Sequence, residues 1–439
     1  MVLLTSLGTL LLLQQSLALV GVRLIDGRGG PPVENATVVV TGNRITSVGL
    51  SSEAKVPAGA RIVSGRGMSL LPGLADMHTH LGGGWDGESA DYLGYRMTVG
   101  AFLYNGVTTV FDTGDITSYV RQLRDEIRGG RLAGPRIYYV GQILDGPKPF
   151  WPDLSIAVGT SEQAGHFVRQ MKQADATMIK GYGGLSTEML KTVVDSASAQ
   201  GIRVIADVWG RNGSLADAQT GIAAFAHAGG MPVTDDALKW MVEHGTMVVT
   251  TLVVDETGTR RRFADLRFLD HPLLKDVLNP VYLDQLKAYG RKGLSSQDSA
   301  NVKVAVEREG YARSNVKRYF AAGVTLIAGT DAPYPGDYYG EGLQRELELL
   351  VEVGIPPLQV ITIATRNAAR LVGAESEWGT VEPGKAADLL LVRGDPSKQI
   401  RDTRNIVMVI QGGRVVDRAA LRFDPRRDRA YHPASFFPH

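Results

Sequence analysis

Cysteine is absent from all 439 residues, which excludes disulfides, thiolate zinc sites and a cysteine nucleophile, and leaves the redox compartment open. Any metal must then be held by histidine, by carboxylates or by modified lysine. An excess of one charge is also lacking. Lys and Arg number 47 against 46 Asp and Glu, so no global field favours nucleic acid or a membrane partner. The run Arg260, Arg261, Arg262 is too short to change this and reads as a solvated loop. No GxGxxG turn or P-loop follows any strand candidate, which sets a doubly wound nucleotide-binding sheet far behind other α/β arrangements. Long hydrophobic runs are missing as well, since the apolar stretch from Val2 to Leu13 is short and interrupted for a membrane span. Ser16, Leu17 and Ala18 could end a signal peptide. Against this, no Lys or Arg precedes Arg23, and cutting after Ala18 would trim the strand-like LALVGVRLIDG. A misassigned start or a retained apolar extension fits as well, so cytoplasmic and exported locations both stay open.

The chain exceeds the size at which one core stops growing, so a large domain with a smaller companion is expected. Both ends are rich in short strands with Gly, Asn and Asp turns, which predicts a small β-sandwich built from residues 19–70 and 379–425. Residues 1–18 are then an apolar extension and 426–439 a tail. Between the two ends, eight apolar segments recur, each followed by turn residues and usually by a helical pattern: LLPGLADMHTH, VTTVFDTG, RIYYVGQIL, ATMIKGY, RVIADVWG, AAFAHAGG, TMVVTTL and VTLIAGTDA. This alternation predicts an α/β fold with a (β/α)8 TIM barrel over residues 71–378. Thr234 and Gly245 mark one helix start and stop. The stretch from Val253 to about Ala300 is too long for an ordinary connection and reads as a lid or substrate loop, with a plain helical insertion as the alternative.

His78 and His80 stand two apart at a strand end, so both imidazoles point to one side. Alone, such a pair is weak evidence for a metal. It gains weight from Lys180, Asp207, His227 and Asp331, which fall at the ends of four further strands. In a barrel those ends form one rim, where distant residues meet. Tyr182 and Trp209 each lie two residues beyond a candidate ligand and could flank a substrate. Arg211 could pair with a substrate carboxylate.

The markers LLPGLADMHTH, NGVTTVFDTG, MIKGYGG, AHAGG, LIAGTDAP, ATRNAARLVG and WGTVEPGKAADLLLVRGDP resemble the amidohydrolase superfamily, specifically its imidazolonepropionase-like branch with peptidase-like and amide-cleaving members. The resemblance runs from about Leu19 to Asp417. It implies that His78, His80 and Asp331 hold one divalent ion, that His227 and the strand-five residue hold a second, and that Lys180, carboxylated by carbon dioxide, bridges the two. It also makes a homo-oligomer plausible. Elementary chemistry agrees about the lysine, because an ammonium has no lone pair and is repelled by two dications, whereas a carbamate offers two oxygens and a negative charge. At strand five, where the family usually places histidine, this chain has Asp207. Carboxylates also ligate divalent metals, so a substituted ligand is the simplest reading. A weakly held or missing second ion is the alternative.

The expected reaction is hydrolysis of an amide C–N bond in a small molecule, peptide-like or an N-acyl amino acid. Two ions, Zn2+ or alternatively Mn2+, would share a hydroxide formed near neutral pH, since a bound dication lowers the pKa of water to roughly 7. Asp331 would be the general base that takes its proton and returns it to the leaving amine. Ester or lactone hydrolysis, deamination on one metal, and a noncatalytic binding role prompted by Asp207 are the competing readings.

Overall fold

The computed structural model describes residues 16–84, 89–293 and 295–428. Most of the apolar start (residues 1–15) and most of the tail (residues 429–439) lie outside the described residues. Segments from both ends of the chain interleave in one mixed sheet of eight strands. Met68–Pro72 sits at its centre, parallel to Ser16–Leu24 on one side and antiparallel to Leu389–Arg393 on the other. Leu19, Val38, Leu70, Leu389 and Ile410 fill its apolar face, and Arg44 near one end of the strand path bridges Ala386 beside the other half. The first strand starts ahead of the expected boundary at Leu19. Leu17 and Ala18 are buried and pair with Val40 and Val39.

All eight expected segments carry a strand: β1 (Leu74–Thr79), β2 (Val107–Asp112), β3 (Arg136–Tyr139), β4 (Met178–Tyr182), β5 (Arg203–Asp207), β6 (Ala224–Phe225), β7 (Met247–Val249) and β8 (Leu326–Ile327). Every residue of β1 and β2 is buried, as befits parallel strands covered on both faces. The strands form two parallel sets, β1 to β3 and β4 to β8, the second extended by the short strands Ile143–Asp145 and Ser155–Ala157. Backbone hydrogen bonds link the sets at both edges, from Thr177 N–H to the Tyr139 carbonyl (2.7 Å) and from Met77 N–H to the Ala328 carbonyl (3.0 Å). The fold is α/β with helices between parallel strands. In the connection before β7, the Thr234 hydroxyl caps the helix Asp235–His244 by accepting from Ala237 N–H, and Gly245 ends it at φ 71°, a left-handed conformation that suits a residue without a Cβ.

After β7 the long stretch is helical. It opens with α1 (Leu252–Gly258), passes through short turns and helices, and ends in α2 (Ser296–Ala322); α3 (Glu341–Glu352) follows β8. The arginine run here is not a solvated loop, because each guanidinium finds protein acceptors. Arg260 donates to the Tyr289 carbonyl, Arg261 to Glu256 and Glu309, and Arg262, its side chain largely covered, binds both oxygens of Glu341. Arg345 of α3 joins in through Glu256, so one continuous ion-pair network fastens α1 and α2 to α3.

Candidate metal centre

The end of β1 delivers both histidines to one point. The Nδ1 of His78 donates to the Ala226 carbonyl (2.9 Å), and the Nδ1 of His80 to the Gly114 carbonyl (2.8 Å). A carbonyl can only accept, so each bond puts the proton on Nδ1 and leaves the Nε2 lone pair free for a cation. Both Nε2 atoms lie 3.1 Å from Asp331 Oδ1. Asp331 follows β8 with φ 74° and donates its own N–H to the His78 carbonyl (2.8 Å). Beneath it, Asp76 is fully buried and accepts from the Thr330 amide and hydroxyl; burial pushes its carboxyl up to about 7.

Beside this trio stand Lys180 of β4, Asp207 of β5 and His227 just past β6. Lys180, 1% exposed, holds its Nζ 3.3 Å from His78 Nε2 and 3.5 Å from Asp207 Oδ2. Asp207 Oδ2 is 3.2 Å from His227 Nε2, and His227 Nδ1 pairs with the Thr251 hydroxyl at 2.7 Å. Burial alone would raise both carboxyls, yet His78 and its neighbours hold Asp331 well below its usual range, and His227 with Lys180 does the same for Asp207. The six residues named from the sequence therefore meet at one place, where histidine nitrogens and carboxylate oxygens gather around the Lys180 ammonium. Such a donor set fits divalent cations.

All of the six but His78 line a cavity of about 540 Å³. Tyr182 and Trp209 line its wall with their ring centroids 5.6 Å apart, and the Tyr182 hydroxyl accepts from Trp151 Nε1 (3.0 Å). Three of the non-glycine residues with positive φ, Trp209 (51°), Thr251 (45°) and Asp331 (74°), surround this site. Backbone in that region is costly and concentrates at functional sites.

Residues 69–416 match the model of the amidohydrolase family. The chain belongs to that family. Its members typically bind divalent metals, and the donor atoms of His78, His80 and Asp331 all lie within 4.8 Å of one another. The Aspergillus niger protein named ochratoxinase is 26% identical over 456 residues, covering 89% of this chain and 85% of its own. Among solved structures, phenylurea hydrolase B superposes with a TM-score of 0.75 at 26% identity, covering 92% of this amidohydrolase and 98% of itself. A Xaa-Pro dipeptidase superposes with a TM-score of 0.74 at 23% identity, covering 92% and 100%, and shares the fold.

Arg211, expected to meet a substrate carboxylate, is not in the cavity wall of this amidohydrolase. Its guanidinium donates to the Leu185 carbonyl (2.7 Å) and faces the buried Asp217 carboxylate at 3.4 Å. The 3-10 turn Trp209–Arg211, entered with positive φ at Trp209, carries it away. Four charged residues that the sequence did not single out line the cavity: Asp115, Asp153 and, from the helical insertion, Asp255 on α1 and Arg308 on α2. No motif marks Asp255 or Arg308, since both belong to the helical insertion. Its bulk was expected as a lid or a plain insertion; it is helical and contributes cavity wall.

Proposed function

We propose that this amidohydrolase cleaves an amide or related C–N bond of a small molecule, using two divalent ions. His78, His80 and Asp331 would hold one ion, Asp207 and His227 the second, and a carboxylated Lys180 would join them. The observation that carries the reading is the position of Lys180, buried between His78 Nε2 and Asp207 Oδ2. A bare ammonium there contributes nothing to a metal site, whereas its carbamate would turn two oxygens toward both donor sets. Two residues flank Asp207 as befits a ligand, with His227 on Oδ2 and the Asn212 amide 3.4 Å from Oδ1, which favours catalysis over a noncatalytic binding role. Relatives named for hydrolysing a phenylurea and a Xaa-Pro dipeptide support a C–N bond as the target.

When bound, the ions supply Lewis acidity and lower the pKa of a water to roughly 7. Asp331, shared by both histidines through Oδ1, takes the proton of the attacking water and delivers it to the leaving nitrogen. Tyr182 and Trp209 provide apolar surface for the substrate. In the same reading the two strand sets close into a (β/α)8 barrel spanning residues 71–378, and the terminal strands form its companion β-sandwich. The hydrogen bonds at both edges of the strand sets support that closure.

The test pairs elemental analysis with hydrolysis assays on N-acyl amino acids, dipeptides and cyclic amides, for the wild type and Lys180→Ala. Metal content and turnover should fall together in the variant. Full activity in metal-stripped Lys180→Ala protein would overturn the two-ion reading.

A further inference from the structure

The cavity wall made by α1 and α2 has a different character from the aromatic one. Thr251, whose hydroxyl meets His227 Nδ1, stands at the start of α1. One helical turn further on, and so on the same face, Asp255 reaches the cavity. Among the described residues no hydrogen bond or ion pair holds its carboxylate. The neighbouring cations are committed elsewhere: Arg261 and Arg345 to Glu256, and Arg313 to Glu309 and Glu352. Arg308 also lines the cavity, and its positive charge favours the Asp255 carboxylate, yet it forms no ion pair with it within 4.0 Å, and burial pushes the Asp255 carboxyl up to about 7. A partly buried carboxylate without a donor is costly. A donor carried by a bound molecule would relieve that cost.

Resting on the reading of this cavity as the substrate site, we infer that Asp255 is a specificity residue that receives a cationic nitrogen, ammonium or guanidinium, on the substrate. A charge-assisted hydrogen bond to such a group satisfies the carboxylate, and the open cavity beside it leaves room for the rest of the molecule. Arg308 opposes the same cation from α2, so its removal strengthens the preference.

The probes are 6-aminohexanoate and hexanoate, which share a carboxylate, differ by one ammonium and contain no hydrolysable bond. Binding to the metal-loaded wild type, Asp255→Asn and Arg308→Ala is measured by calorimetry or ligand-observed NMR. In parallel, kcat/KM is compared for Nα-acetyl-lysine and Nα-acetyl-norleucine. The wild type should favour the cationic member of each pair, and Asp255→Asn should lower that ratio by roughly ten-fold or more, the scale of a hydrogen bond to a charged group. Arg308→Ala should raise it. A ratio unmoved by Asp255→Asn, or a wild-type preference for the neutral members, overturns the inference, as does a common drop in Tm in both variants with no change in ratio, since Asp255 would then serve only as the structural partner of Arg308. The binding arm does not depend on turnover. Cation preference without hydrolysis of any amide would sink the proposed function and leave Asp255 standing, while hydrolysis without cation preference does the reverse.

Discussion

Replacing Asp331 with Asn isolates one charge at the centre of the site. The backbone there has φ 74°, a region that Asn tolerates as well as Asp does, and the main-chain bond from residue 331 to the His78 carbonyl needs no side chain. The fold should therefore survive. Two things are removed: the anionic Oδ1 that lies 3.1 Å from both histidine Nε2 atoms, and the acceptor for the proton of the attacking water. Loss of a general base costs about 10²- to 10⁴-fold, or about 3–5 kcal/mol on the barrier, and the weakened metal site adds to this. The assay is kcat and kcat/KM on the best amide substrate, with metal content measured on the same preparation and Tm as a control for folding. Asp331→Asn should lose at least about 10²-fold in kcat with little change in Tm. Turnover within a few-fold of wild type at normal metal content would remove Asp331 from the mechanism.

Asp207→His should tighten zinc relative to manganese, because an imidazole replaces a hard oxygen donor beside His227; competitive loading followed by elemental analysis reads this, and unchanged preference would mean that Asp207 is not a ligand. Arg211→Ala should cost about 1 kcal/mol of stability in a melting experiment, since Asp217 keeps its bonds from Thr187 and Ser214, and should change KM equally for carboxylate-bearing and neutral substrates. A selective rise in KM for the former would return Arg211 to the substrate. Glu346 is fully buried against the Thr250 hydroxyl and the Val253 amide, and burial pushes it up from 4.5 to about 8. The folded protein thus keeps a proton that the unfolded chain releases, so this group's contribution is full below about pH 4.5 and is lost as pH rises to about 8. Glu346→Gln mimics the neutral acid and should lack that decline in denaturant titrations across this window; parallel pH profiles for the two proteins would contradict the assignment.

What could be read from the sequence follows from how each part is built. Parallel strands covered by helices appear as recurring, largely apolar segments, so all eight were visible, and the candidate ligands at their ends came with them. Arg211 falls outside the cavity lining because Trp209 turns with a positive φ that side-chain chemistry does not announce. The arginine run looked solvated because its acceptors, Glu256, Glu309 and Glu341, are spread over 86 positions. Asp255 and Arg308 escaped for the same reason. Only the packing of α1 beside α2 puts them on one wall, and no strand periodicity links them.

The histidine tethers differ in a way that bears on how this site can change over generations. His78 and His80 are each oriented by a main-chain carbonyl, which no amino-acid replacement at Ala226 or Gly114 can delete. His227 leans on the hydroxyl of Thr251, a group that a single codon change removes. In the proposed two-ion reading, the half of the site around His78 and His80 would thus be insulated from mutational drift, while the half around His227 and Asp207 would be open to it.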